Sequence, residues 1–141
     1  MVHCVRSSGW EASLADYLQT SKDTKFSYGV QDCALFAAGA VKAMTGKDFA
    51  RGMRGKYRSM ASSVRALKGM GFDSLAALMD SKFEAVEPAF ARRGDIVMDG
   101  SDSLGVCIGG DALFVGEEDG AEGLVRLPLK SWARAWRVPF E

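Results

Sequence analysis

The dipeptide Asp32-Cys33 is the part of this sequence best suited to chemical reactivity. It follows the turn-forming segment Phe26-Ser27-Tyr28-Gly29 and precedes a run of small apolar residues that begins at Ala34. Aspartate is a strong N-cap, so the pattern predicts that Cys33 lies in the first turn of a helix. The positive end of a helix favours the thiolate, the nucleophilic form of cysteine. Cys33 is therefore a candidate nucleophile.

Catalysis by a cysteine normally needs a base, and the sequence has a single histidine, His3. Residues near a chain end are usually mobile, so we expect His3 to be a surface residue; its movement into the site is the alternative. Three roles for Cys33 then remain open. It is a working nucleophile, a site of reversible thiol chemistry, or a helix-start cysteine that is retained because its volume fits.

The composition predicts one globular domain of balanced charge over residues 1–141. Of the 141 residues, 48% are hydrophobic, which argues against disorder. The 18 basic and 18 acidic residues give zero formal net charge, which argues against nucleic acid or a membrane surface as a partner. The first residues show no apolar h-region, so we expect no signal peptide, and no apolar run approaches the ~18 residues of a membrane span.

The cysteines predict neither a disulfide framework nor a metal site. Cys4, Cys33 and Cys107 are an odd number without framework spacing, and this usage fits a reducing compartment best. The sequence contains neither a CxxC nor an HxxxH pair, so we predict no metal and no cofactor. A metal held jointly by His3 and the cysteines is the alternative.

Hydrophobic periodicity predicts helices in the first part of the chain. A helix over 9–19 is expected to begin with the capping box Ser8-x-x-Glu11. The helix that starts at Cys33 extends to about 44, and its centre, 37–40, contains only alanine and glycine. Such a small surface predicts that this helix lies directly against a sheet. Two more helices are predicted over about 57–69 and from 73 onward.

After Pro88 the pattern changes to short strands separated by turns. Strands are predicted at 95–98, 103–109, 112–115, 124–127 and 135–138, with a helical turn at 128–132. Helices followed by strands predict an α+β domain. Its helical part covers about 9–80 and its antiparallel β-meander about 94–140.

Three motifs occur in a characteristic order: Tyr28-Gly29-x-x-Asp32-Cys33, then Ala91-Arg92-Arg93-Gly94-Asp95-Ile96-Val97, then Ser103-Leu104-Gly105-Val106-Cys107-Ile108-Gly109. Together they resemble the NlpC-type branch of the papain-like cysteine peptidases and amidases. The resemblance implies a papain-like, NlpC-type domain with N-terminal helices packed on a C-terminal antiparallel β-meander. It makes Cys33 the nucleophile and gives Tyr28 and Asp32 supporting positions. Tyr28 either donates to an oxyanion, as in an active relative, or only closes the turn.

The sequence departs from that family at the positions of its base and its orienting residue. Ser103 stands where the family has its catalytic histidine, and the apolar pair Phe114-Val115 stands near the family's third polar residue. The resemblance further implies that Ser103 faces Cys33 and that Cys107, on the same strand face, points toward the nucleophile helix. A serine cannot deliver a proton to a leaving amine at neutral pH, and such assistance is worth roughly 10²–10⁴ in rate. The site is therefore expected to be degenerate.

Proteins of this kind occur in tailed-phage genomes beside genes for the tail tip. The resemblance thus implies a tail-tip or tail-assembly protein, a pseudoenzyme that binds other phage tail proteins, with peptidoglycan as a further candidate partner. It would be found in the host cytoplasm during assembly and then in the virion tail. The alternative is an active cysteine peptidase or amidase that cleaves peptidoglycan stem peptides with Cys33 as its nucleophile.

Charge is unevenly distributed in the helical part. Between Lys42 and Lys68 there are eight basic residues and one acidic residue, Asp48. One interpretation is a solvated helix face. The other is a patch that contacts an acidic protein surface, so we expect partners to bind at the 42–68 region or at an exposed part of the meander.

Overall fold

The structure, a computed structural model, describes residues 5–22, 25–27, 29, 31–118 and 121–139. These residues form four α-helices: α1 (Trp10–Ser21), α2 (Cys33–Thr45), α3 (Met60–Gly69) and α4 (Leu75–Lys82). They also form six strands: β1 (Glu84–Val86), β2 (Ile96–Asp99), β3 (Leu104–Cys107), β4 (Asp111–Glu118), β5 (Ala121–Pro128) and β6 (Trp132–Arg137). Short 3₁₀ turns lie at Pro88–Phe90 and Leu129–Ser131. The predicted α+β class is confirmed.

The six described strands form one antiparallel sheet in the order β1-β6-β2-β3-β4-β5. From β2 to β5 each strand pairs with the next, as a meander requires. The last strand, β6, instead returns across the sheet and pairs with both β2 and β1. The sequence pattern does not predict β1, because its three residues are too few to show an alternation.

The helix that carries Cys33 follows its predicted signals. At its N-cap, Asp32 Oδ1 accepts a hydrogen bond from the Leu35 N–H at 2.9 Å. Gly46 ends the helix in the left-handed conformation, with φ of 82°. Most residues of α2 are buried, and the helix packs between α1 and β3. The prediction that α2 lies against the sheet is confirmed.

The first helix differs from its prediction at its start and in its contact with α2. Gly9, with φ of 79°, is the N-cap, so the predicted capping box is wrong. Gly39 of α2 faces α1 rather than the sheet, since a Cβ there would lie 2.2 Å from Tyr17 Oη. Tyr17 donates a hydrogen bond to the Phe36 carbonyl oxygen at 2.8 Å. The glycine therefore lets the tyrosine lie across α2.

Asp95, just before β2, holds the two ends of the described chain together. It accepts hydrogen bonds from Arg6 at 2.7 Å, Arg137 at 2.9 Å and the Val138 N–H at 3.1 Å. The side chains of Arg6 and Asp95 are 1% and 0% exposed. Gly94 makes room for this pair, because a Cβ there would lie 2.7 Å from Arg6 Nη1. The Gly-Asp motif thus has a structural role.

The sheet separates two apolar clusters. The larger lies on the helical side and includes Leu104 and Val106 of β3. The smaller consists of Val97, Cys107, Ala112, Phe114, Trp132 and Ala135. Cys107 therefore points away from α2, and the expectation that it faces the nucleophile helix is wrong. Its thiol donates to the Gly109 carbonyl oxygen at 3.3 Å, and burial raises the pKa of that thiol.

Candidate functional site

The turn before α2 is closed by hydrogen bonds to Asp32. Ser27 and Gln31 exchange two backbone hydrogen bonds of 2.8 Å, and the N–H of Gly29 donates to Asp32 Oδ2 at 3.1 Å. Gly29 has φ of 82°, and a Cβ there would lie 2.1 Å from the Tyr57 carbonyl oxygen. Only glycine fits this position without displacing the backbone. The Gly-x-x-Asp spacing therefore builds the turn that presents Cys33.

Tyr57 supports the same carboxylate from the other side. Its phenol donates to Asp32 Oδ2 at 2.5 Å, and the residue is buried. Burial raises the pKa of Tyr57 well above its ordinary range, and the hydrogen bond to Asp32 and the charge of Asp32 raise it further. The third helix was predicted to include Tyr57, but it begins at Met60 after the N-cap Ser59. No local signal in the sequence identifies this contact.

Cys33 is partly exposed at the start of α2. Burial raises the pKa of its thiol above the ordinary value, and the negative charges of Asp32 and Asp99 act in the same direction. Hydrogen bonds from the backbone amides of Leu104 and Ala34 lower the pKa but do not reverse the shift. The thiol is therefore the favoured form at neutral pH. Desolvation therefore outweighs the positive helix end, which by itself would favour the thiolate.

A half-open groove of about 850 Å³ lies over Cys33, and we call it the Cys33 groove. Its walls come from α3, α4, the start of α2 and the loop between β2 and β3. Apolar side chains dominate the lining: Phe26, Met53, Met60, Val64, Leu67, Leu75, Met98 and Val115. The charged residues of the lining are Asp32, Asp73, Asp80, Asp102 and Arg134. The groove is thus a mainly apolar site that contains a thiol.

Ser103 lies on the same groove as Cys33, at the end of the β2–β3 loop. Asp99 Oδ1 holds the loop by accepting hydrogen bonds from the N–H groups of Ser101 and Ser103, at 2.9 and 3.0 Å. The next residue, Leu104, brings its amide against the Cys33 thiol. The nucleophile position and the position at which the resemblance expects a histidine therefore line the same groove.

The structure describes only some of the remaining residues that the sequence marked as candidates. Tyr28, His3 and Cys4 lie outside the described residues. Of the apolar pair on β4, Val115 lines the Cys33 groove, whereas Phe114 belongs to the small cluster on the other face of the sheet. Among the described residues that line the groove there is no histidine.

The basic region between Lys42 and Lys68 is mostly exposed. Arg54 is an exception, because it pairs with Asp48 at 2.7 Å and reaches the Leu35 carbonyl oxygen at 3.4 Å. This arginine fixes the segment between α2 and α3 against the nucleophile helix. The exposed basic residues, such as Arg51 and Arg58, are the ones that a partner can reach.

Within the described residues, no group of three or more histidine, cysteine, aspartate or glutamate side chains is arranged to hold a metal ion. In the same part of the chain, none of the helices has the length and apolar character needed to cross a membrane.

The comparisons with known proteins identify a family but no activity. Residues 5–138 match a family model described as "Domain of unknown function (DUF6950)". The chain therefore belongs to that family. The search of curated proteins finds no significant match.

Proposed function

We propose that this member of the DUF6950 family is a tail-tip or tail-assembly protein of a tailed phage, built on an NlpC-type, papain-like domain with a degenerate catalytic site. It acts by binding neighbouring tail proteins, and the Cys33 groove is one of its binding surfaces. Two features support the NlpC-type assignment. An aspartate-capped helix presents Cys33, and the strand after the Gly-Asp strand begins at Leu104, whose amide hydrogen-bonds to that thiol.

The observation that carries the loss of catalysis is the environment of the Cys33 thiol. Its pKa is raised by burial and by Asp32 and Asp99, so little thiolate forms at neutral pH. The nearby Ser103 has no imidazole with which to accept the thiol proton and return it to a leaving amine. Because such acid–base assistance is worth roughly 10²–10⁴ in rate, amide cleavage at this site would be very slow.

The observation that supports binding is the open, apolar lining of the groove. A domain without a binding role is expected to cover large apolar side chains, yet Phe26, Met60 and Val64 are exposed on the groove. The exposed residues of the basic 42–68 region give a second surface on which charge can orient a partner.

The proposal is tested in two assays. Purified protein is incubated with peptidoglycan stem peptides beside the Cys33→Ala variant, and products are measured by mass spectrometry. Phage particles are analysed for the protein in parallel. We expect no Cys33-dependent product, and we expect the protein in purified tails. Cleavage that disappears in Cys33→Ala, together with absence from particles, would overturn the proposal.

The second candidate is an active cysteine peptidase or amidase on stem peptides. It is favoured by the partial exposure of Cys33 on an open groove, where the Leu104 amide meets the reacting sulfur. A base would then have to come from outside the described residues, and His3 is the sole histidine in the sequence. Cys33-dependent cleavage that is also lost in His3→Gln would establish this alternative.

A further inference from the structure

We infer that the Cys33 groove binds an extended polypeptide segment in which an apolar side chain is flanked by lysine or arginine. The inference rests on the proposed function, because it specifies the chemistry of the partner segment at the same site.

Much of the exposed apolar surface of the groove lies on α3. Met60, Val64 and Leu67 recur at the spacing of a buried helix face, and all three line the groove. Of the three, only Leu67 is buried, whereas Met60 is 62% and Val64 41% exposed. Phe26, 37% exposed, lines the same groove. Covering such surface is favourable by about 25 cal/mol per Å² of apolar area.

The negative charge of the groove comes from the carboxylates of its lining. Asp32 is used within the fold by Gly29, Leu35 and Tyr57. Asp80 accepts from the Trp136 indole at 2.8 Å and lies 3.7 Å from Arg134, which is the basic residue of the lining. Asp73 and Asp102 are the remaining carboxylates of the described lining, and both are exposed.

Among the described residues, no salt bridge joins Asp73 or Asp102 to a basic side chain. Arg65 lies on the opposite side of α3 from the lining residues, whereas Lys68, four residues after Val64, borders the lining face without being part of the lining. The rim of the groove is therefore acidic. Charge complementarity then selects cationic side chains on either side of an apolar one.

A polypeptide fits the lining better than a compact ligand. The apolar residues extend from Phe26 along α3 to α4, and the Ser101 and Ser103 hydroxyls at the rim can accept or donate hydrogen bonds to peptide groups. An extended segment satisfies both features, since it presents its own N–H and C=O groups along its whole length.

The test uses three fluorescent peptides that share an apolar centre and differ in their flanks, which are lysine, glutamine or glutamate. Binding to the full chain is followed by anisotropy at low and high salt. We expect the lysine-flanked peptide to bind about tenfold more tightly than the glutamate-flanked one at low salt. This preference should shrink at high salt, because rim charges are screened.

Two sets of variants assign the effect to the groove. The double variant Asp73→Asn/Asp102→Asn should remove the preference between flanks, and asparagine tolerates the left-handed φ of 63° at position 102. Its control, Glu84→Gln/Glu87→Gln, removes equal charge outside the groove and should keep the preference. Met60→Gln/Val64→Gln should weaken all three peptides, whereas Arg65→Gln, at an exposed position on the far side of α3, should not.

Equal binding of all three peptides would overturn the inference and leave the proposed function standing, because a polypeptide would still occupy the groove. Failure of every peptide to bind would also overturn it. The proposed function is decided separately, by the presence of the protein in tails and by the absence of Cys33-dependent cleavage.

Discussion

The phenol of Tyr57 donates a hydrogen bond of 2.5 Å to Asp32, the residue that caps the helix of Cys33. This bond joins the segment before α3, one wall of the groove, to the turn that presents the thiol. Asp32 thereby accepts from Tyr57, from the Gly29 amide and from the Leu35 amide at once. The position of Cys33 therefore depends on a residue far along the chain, and three of the predictions below concern these neighbours.

We expect Cys33 to react slowly with a thiol probe, with no step in rate below pH 7. Burial, Asp32 and Asp99 raise the pKa of the thiol, so the thiolate becomes abundant only at alkaline pH. The measurement is the rate of iodoacetamide labelling against pH, resolved by residue with mass spectrometry. Rapid labelling of Cys33 at pH 6 would show a stabilised thiolate and would favour the enzymatic alternative.

Asp32→Asn should increase the labelling rate of Cys33 at neutral pH, because it removes a negative charge that raises the pKa of the thiol. The same variant should lower the free energy of unfolding by about 1–3 kcal/mol, since the amide cannot accept all three hydrogen bonds equally well. Asp111→Asn, at an exposed pair with Arg126, is the control and should change neither quantity. An unchanged labelling rate in Asp32→Asn would contradict the proposed electrostatic environment.

Tyr57→Phe should lower stability at neutral pH by about 1 kcal/mol, the net value of one hydrogen bond. The folded-state pKa of Tyr57 is raised above its ordinary value of about 10. Protonated Tyr57 therefore stabilises the fold fully below that pH, and this contribution is lost as the pH rises further. The difference between wild type and variant should shrink above about pH 10, as measured by urea unfolding. A constant difference across that range would contradict the prediction.

Removal of the Asp95 carboxylate should be the most destabilising change outside the apolar core. Asp95→Ala leaves the buried Arg6 without its carboxylate partner, which typically costs about 3–5 kcal/mol. Urea unfolding measures the loss. Asp111→Ala is the matched control, because its exposed ion pair should be worth less than about 1 kcal/mol. Similar losses in the two variants would mean that the Asp95 network does not stabilise the contact of Arg6 with residues 137–138.

Gly39→Ala should destabilise the protein by about 1–3 kcal/mol although alanine favours helices. The added methyl group would collide with Tyr17 and break its hydrogen bond to the Phe36 carbonyl. Gly69→Ala at the end of α3 is the matched control, since a Cβ there meets nothing within 4 Å. That variant should be neutral or up to about 1 kcal/mol more stable, and thermal unfolding distinguishes the two.

The sequence was sufficient to predict the elements with strong local signals. Asp32 and Gly46 fix both ends of α2 through an N-cap and a left-handed glycine, and both signals are local. At the start of α1, by contrast, a local signal was misleading. Ser8-x-x-Glu11 has the form of a capping box, yet the helix begins one residue later, with Gly9 as its N-cap.

The geometry of the candidate site depends more on contacts between residues that are distant in sequence. The turn Gly29-x-x-Asp32 was recognisable, but its second support, Tyr57, comes from a segment that carried no motif. The direction of the Cys33 pKa shift also required the fold, because a helix end is visible in sequence and the burial of the thiol is not. Arg6 likewise gave no signal, since its partner Asp95 lies in a distant motif.

The hydrogen bond from the Arg6 N–H to the Pro139 carbonyl oxygen, at 2.9 Å, has a practical consequence. Two backbone groups at that separation can be joined by a very short linker, so the domain is suited to circular permutation and to insertion into a surface loop of another protein. A host loop that receives it would need to open by little more than the width of one strand pair.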